Sequence, residues 1–237
     1  MFDLLGDLLI LNSDESTPKS LNYSKIKSVW RKITPVSSEF RVHDYSLISG
    51  ENISESTNIE SGYRVKFSLY CYYNARYASE RLSLSRVLFG GKLCILGAGV
   101  GVYSLYLSGN FESICNVEPN LICQPLFTQN MYLNRVYNSS MLSCRGSDIL
   151  KKNRLFFTDY LLVMPLQFQI SIQYVHRILK YSVISVNSIV LYLKITETEK
   201  IRSDFMRMFS GVLDISFHRV KTYSAFDAVY RITIQFR

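Results

Sequence analysis

Apolar and polar positions follow two different rhythms in this chain. Residues 1–60 are rich in Ser, Asn and Glu and hold no sustained period, which predicts an irregular, partly ordered extension. From Val65 to Leu88, tyrosines, leucines and arginines recur every three or four positions, the spacing of an amphipathic helix or a helix pair. Beyond that, short apolar runs alternate with amphipathic stretches. The pattern predicts strands over 92–96, 112–118, 140–145, 156–163, 186–195, 211–219 and 226–236, and helices over 100–108, 122–136, 168–181 and 197–209. Such alternation implies an α/β fold with a doubly wound, mainly parallel sheet and an antiparallel finish, carrying an irregular or helical N-terminal extension. The division expected is an extension over 1–62 and one α/β domain over 63–237.

The first predicted strand breaks into three alternating glycines, Leu96-Gly97-Ala98-Gly99-Val100-Gly101, before the apolar pattern resumes as a helix. Glycine tolerates positive φ and carries no Cβ to hold a ligand away, and a helix start offers unpaired N–H groups. A strand, glycine turn and helix in that order are where a nucleotide-like cofactor sits. The second strand ends in Glu118, twenty-one positions after Gly97, about where such a unit places a carboxylate on a ribose diol. A dinucleotide fingerprint wants glycine or alanine at the position of Val102, where helix and strand approach closely, and valine disfavours a nicotinamide oxidoreductase. The G-x-G-x-G spacing with a downstream acid resembles class I S-adenosylmethionine-dependent methyltransferases. In that resemblance Leu96, Gly97, Ala98, Gly99 and Gly101 lie along the donor and Glu118 takes the ribose. Gly146-Ser147-Asp148 resembles the end of the third strand, with Asp148 toward the adenine amino group.

Composition narrows the classes. A hydrophobic fraction of 48% is globular, and no apolar run reaches the roughly 18–20 residues that cross a bilayer. The start lacks the basic segment and cleavage site of a secretory signal, which points to a cytoplasmic chain or a domain of a longer one. Five cysteines without C-x-x-C pairing read as reduced core residues, and with three scattered histidines they imply no metal site. The net charge of +8 favours an anionic partner such as RNA. Its basic residues come in small groups, Lys25/Lys27/Arg31/Lys32, Arg76/Arg81/Arg86 and Arg145/Lys151/Lys152/Arg154, which suit a solvated surface as well as phosphate contact. Trp30, the one tryptophan, sits among charges as a loop anchor or a stacking platform.

Five short pieces carry a more specific resemblance: the turn at 96–101, Asp159–Met164, Tyr174–Leu179, Ile189–Lys194 and Ala228–Ile232. In order and spacing they resemble the methyltransferase domain of the large polymerase protein of nonsegmented negative-strand RNA viruses, within the FtsJ-like superfamily. That resemblance implies a viral protein of host cytoplasm or virion, S-adenosylmethionine as cofactor, capped mRNA as substrate and other polymerase domains or subunits as partners. It implies a Lys-Asp-Lys-Glu tetrad as well, which is degenerate here. Lys194 falls on the central lysine, but the aspartate falls on Met164 beside Pro165, and Asp159 lies at the wrong end of its strand. The glutamate falls on Ala228, with Asp227 adjacent, and the first lysine on Ala78, leaving Arg76 or Arg81 as substitute cations. The resulting catalytic candidates are Lys194, Arg76 and Asp227. A ribose hydroxyl needs an activating group whereas guanine N7 already presents a lone pair, so base methylation of the cap is expected over ribose methylation. The alternative implied is an inactive methyltransferase fold that binds RNA or scaffolds the polymerase.

Overall fold

The structure, a computed structural model, describes residues 2–12, 23–34, 40–151, 155–165, 168–195, 197–222 and 228–237. In chain order its elements are β1 (Phe2–Leu5), β2 (Leu8–Leu11), β3 (Ser28–Lys32), β4 (Tyr45–Gly50), β5 (Glu55–Glu60), β6 (Tyr63–Ser68) and α1 (Ala78–Ser85). They continue with β7 (Gly90–Leu96), α2 (Val102–Leu107), β8 (Phe111–Val117), α3 (Cys123–Leu133), β9 (Ser139–Leu142), α4 (Gly146–Ile149) and β10 (Asp159–Pro165). Last come α5 (Phe168–Tyr181), β11 (Ser188–Ile195), α6 (Thr198–Met208), β12 (Val212–Thr222) and β13 (Ala228–Phe236). The chain divides into two compact units. Unit 1 holds Met1–Ser83, Gly99–Leu105 and Asn120–Tyr137, and unit 2 holds Leu84–Ala98, Tyr106–Pro119 and Asn138–Arg237.

Unit 2 is built on a seven-stranded sheet of order β12-β13-β11-β10-β7-β8-β9. β7 to β11 run parallel, and β13 and β12 finish the sheet antiparallel. β7 sits between β8 and β10, so the strand order reverses there, and the crevice of a doubly wound sheet opens at the carboxyl ends of these strands. The doubly wound, mainly parallel sheet with an antiparallel finish that the alternating pattern implies is present. Parallel strands buried on both faces need near-continuous apolar sequence, as in Leu93-Cys94-Ile95-Leu96 and Ser188–Leu193, all of them buried. α5 closes one face with Val175 and Ile178 fully buried at helical spacing, and Phe168 meets Phe205 of α6 edge to face at 5.6 Å.

Unit 1 departs from the sequence expectation. The stretch read as irregular forms a four-stranded sheet, β1-β2-β3-β4, and most of the β5–β6 hairpin, whose second strand begins at Tyr63. The helical spacing from Val65 onward is likewise taken by β6 at first, and only 78–85 is α-helix. The turns explain both. Gly6 (φ 59°) joins β1 to β2, and Ser61 and Gly62 (φ 48° and 88°) join β5 to β6; two-residue hairpins need such positive φ values. Leu8, Ile10, Trp30, Phe67 and Leu69 form one buried cluster of this unit. Trp30 anchors that cluster, with its indole N–H donating to the Ile53 carbonyl at 2.9 Å, so its ring is no stacking platform for a base.

Candidate active site

In unit 2 the candidate site grows from the ends of β7 and β8. Leu96 pairs with Val117 across the parallel ladder. Immediately beyond, the N–H groups of Gly97 and Ala98 both donate to the Val117 carbonyl, at 2.9 and 3.3 Å. Gly97 takes φ 77°, which lets the chain fold back onto β8. Glu118 is therefore the next residue on the neighbouring strand end, its own N–H bound to the Leu142 carbonyl at 3.1 Å and its surface only 8% exposed. A carboxylate held beside a glycine turn, at the reversal point of a parallel sheet, is the acceptor that suits the two hydroxyls of a ribose diol.

Asp148 lies at the same sheet edge but not on a strand. The expected strand over 140–145 stops at Leu142, and Gly146-Ser147-Asp148 begins the four-residue α4. Asp148 is half exposed and pairs with Lys151 at 3.6 Å. Gly146 lies beside the Tyr174 ring, which a Cβ there would touch at an ordinary 3.4 Å contact. Burial raises the Tyr174 phenol pKa, opposed by the Arg177 charge and assisted by that of Asp148.

The remaining glycines belong to unit 1. Gly99 has φ 56°, and a Cβ there would lie 2.7 Å from the Tyr72 carbonyl oxygen. Gly101 has φ 85°, and its Cβ would collide with the Phe127 ring. Between them the Val100 carbonyl accepts from Asn130 Nδ2 at 2.9 Å, and Asn130 also exchanges bonds with the Lys66 backbone at 2.6 and 2.8 Å. At Gly99 and Gly101 packing alone already excludes a side chain, because protein atoms fill the space a Cβ would need.

The candidate cations separate. Lys194 is exposed near the carboxyl end of β11, opposite Val229, and lines a cleft of about 340 Å³ with Phe168, Glu197, Lys200 and Asp204. Asp227 lies outside the described residues, and Ala228, at the expected glutamate position, pairs with Ile195. Arg81 is buried in a two-pronged ion pair, Nε and Nη2 each 2.7 Å from a Glu60 oxygen, and also donates to the Asn74 carbonyl at 3.0 Å. It is spent on structure. Arg76, half exposed, binds Asp3 at 2.6 and 2.9 Å, and Asp3 also holds Lys32 at 3.4 Å. These three line a cleft of about 160 Å³ in unit 1 together with Arg41, Tyr45, Tyr72 and Tyr73. The Arg41 guanidinium stands 5.7 Å over the Tyr72 ring. The aromatic and cationic wall around Arg76 was not legible in the sequence, because its residues come from four separate segments of the chain.

No protein-family model matches the chain. It is 28% identical over 150 residues to tRNA (guanine(37)-N(1))-methyltransferase Trm5b of Pyrococcus abyssi, a match covering 58% of this chain and 45% of that protein. With the Trm5b of Methanocaldococcus jannaschii it shares 31% over 146 residues, 57% of this chain and 43% of the other. The chain thus spans less than half the length of these relatives. Among solved structures, the complex of aTrm5 with tRNALeu superposes with a TM-score of 0.81 at 21% identity, over 100% of this chain and 72% of that one. M. jannaschii TYW2 in complex with AdoMet gives 0.71 at 11% identity, over 100% and 99%. These likenesses show the fold. They overturn the resemblance to the viral polymerase domain, and the cap substrate and the viral polymerase partners drawn from it fall too. The five pieces behind that resemblance are the glycine turn, two inner strands, a covering helix and the antiparallel strand β13, which this fold requires in that order whatever the substrate.

Proposed function

We propose that this chain is an S-adenosylmethionine-dependent tRNA methyltransferase that modifies N1 of guanine at position 37. The similarity to tRNA (guanine(37)-N(1))-methyltransferases carries the reading. The geometry supports it in each unit taken separately. In unit 2, Leu96, Gly97 and Ala98 form the turn and Glu118 the carboxylate that fit the donor's methionine and ribose, with Asp148 on the adenine side. The donor supplies a methyl group on a sulfonium, electrophilic without further activation. Two of the structurally similar proteins carry AdoMet or adenosine. In unit 1, the cleft of Lys32, Arg41 and Arg76 with its tyrosine rings supplies charge for phosphates and faces for bases. Lys194, on the cleft of unit 2, is a fourth cation that this reading gives to the RNA.

Guanine N1 differs chemically from N7: it carries a hydrogen at neutral pH, so transfer needs a proton acceptor as well as alignment. The test is an assay with labelled S-adenosylmethionine and tRNA transcripts bearing G37 or A37, followed by nucleoside mass spectrometry. The expected product is 1-methylguanosine from the G37 transcript alone. Label at N7 or on ribose, or equal label in the A37 transcript, overturns the reading.

A further inference from the structure

Two thiols in unit 1 stand apart from the proposed chemistry. Cys71 follows β6, Cys123 opens α3, and their Sγ atoms are 2.9 Å apart although the residues are separated by 52 positions. The other three cysteines belong to unit 2, where burial pushes the Cys94 thiol well above its ordinary value and Cys115 up to about 11, so both stay protonated. Cys71 and Cys123 form the one cysteine pair in unit 1, and the structure holds both as free thiols. A disulfide bond is about 2.05 Å long, so bonding needs the two sulfurs to close by less than 1 Å.

The surroundings hold the two sulfurs in register. The segment before Cys71 is tied to the segment before Cys123 by Asn120 Nδ2 donating to the Tyr70 carbonyl at 2.8 Å. Asn130, about two turns further along the same face of α3, clamps the Lys66 backbone of β6 through both its N–H and its carbonyl. The backbones flanking both cysteines are thus already joined, which limits the strain a covalent link adds. Both thiols are buried, Cys123 completely and Cys71 to 4% exposure, and of the two only Cys71 lies on the wall of the Arg76 cleft, whose volume of about 160 Å³ admits a molecule of two heavy atoms.

We propose that Cys71 and Cys123 are an oxidisable dithiol, which a peroxide converts to an intramolecular disulfide stapling the end of β6 to the start of α3. The Cys71 thiolate attacks one peroxide oxygen, the O–O bond breaks, and a sulfenic acid and hydroxide result. The Cys123 thiolate then displaces the sulfenic oxygen as a second hydroxide and the S–S bond forms. The two thiol protons neutralise the hydroxides, so two thiols and one hydrogen peroxide give one disulfide and two waters. The staple closes a long loop that includes the turn at Gly99 and Gly101, and it restricts the unfolded chain accordingly. It stands whether or not the chain methylates tRNA.

The test treats the reduced, folded chain with one equivalent of hydrogen peroxide, quenches with catalase, and counts thiols under denaturing, non-reducing conditions. The expected result is loss of two of the five thiols and a protease fragment pair joined through Cys71 and Cys123. It also includes a melting temperature higher by roughly 5–10 °C that dithiothreitol reverses. Cys123→Ser under the same treatment stops at an oxidised Cys71 with no internal link and no thermal gain. Retention of all five thiols overturns the proposal, as does a link within Cys94, Cys115 and Cys144 or a disulfide between two chains.

Discussion

Arg76 and Arg81 lie five positions apart, and the same sequence logic offered either as a substitute cation; their surroundings give them opposite fates. Arg81 and Glu60 are 4% and 3% exposed, and Glu60 also accepts from the Tyr73 hydroxyl at 2.8 Å, which in turn accepts from Asn58. Removing one partner of such a pair strands a buried charge, so Arg81→Ala is expected to lose about 3–5 kcal/mol of stability in a denaturant titration. Arg76 pairs with Asp3 in partial contact with solvent, where screening leaves at most about 1 kcal/mol. Arg76→Ala is therefore expected to melt like the parent while losing methyl transfer to tRNA. Equal thermal damage in the two variants would show that the Asp3 pair is structural too.

A second residue-scale prediction concerns acid. Burial alone would raise the Asp7 carboxyl, but the Ser56 hydroxyl and the Lys27 ammonium outweigh it and hold its pKa below the ordinary 3.8. A lowered folded pKa gives stability that is present above the unfolded value and is lost as pH falls through the folded one. Asp159 has the opposite sign: burial raises its pKa despite bonds from Ser188 and Thr158, so its contribution is fullest below 3.8 and is lost as pH rises through the raised value. The Asp7 share of stability should thus be lost as pH falls below about 4, against the opposite trend of Asp159, and Asp7→Asn should flatten that limb. An unchanged acid limb in Asp7→Asn would remove Asp7 from the account.

At the scale of elements, the glycine turn shows why a natural-looking variant is a poor probe. Gly99→Ala places a Cβ against the Tyr72 carbonyl in a left-handed conformation, so about 1–3 kcal/mol of stability should be lost whatever happens to the donor. Glu118→Gln keeps the shape and removes the charge. Calorimetry with S-adenosylmethionine should show binding weaker by roughly ten- to a hundredfold at unchanged melting temperature. Undiminished affinity would move the ribose elsewhere.

The same elements show what could be read in advance. α5 falls over 168–181 as its spacing predicts, because Val175 and Ile178 return to one face, and Gly97 and Glu118 are legible because one βαβ unit fixes their separation. β1 to β5 were hidden by a Ser, Asn and Glu-rich composition and β6 by the helix-like spacing that begins at Val65, although Gly6-Asp7 and Ser61-Gly62 between strand-like runs are hairpin signals. The loss propagated to the site. With Glu60 placed in irregular chain, nothing marked Arg81 as buried, and Asp3, seventy-three positions before Arg76, could not be seen as its partner.

For the whole molecule, the net charge of +8 says more about partners than about fold. A chain that binds RNA through cations releases counterions, so its affinity falls linearly on a log–log plot against salt, by about 0.7–0.9 per phosphate neutralised. A small donor held by a turn and a carboxylate shows no such slope, which separates the two kinds of binding in one protein. Binding of a G37 tRNA transcript between 50 and 200 mM salt is expected to be strongly salt-dependent, at roughly one unit of slope per contact. Arg41 stands over Tyr72 and Arg76 faces the same cleft, so Arg41→Ala and Arg76→Ala should each reduce that slope by about one. Their S-adenosylmethionine affinity should stay unchanged. If both variants keep the full slope, the RNA does not enter this cleft, and the basic groups on other surfaces, Lys194 and Lys200 among them, carry the contact instead.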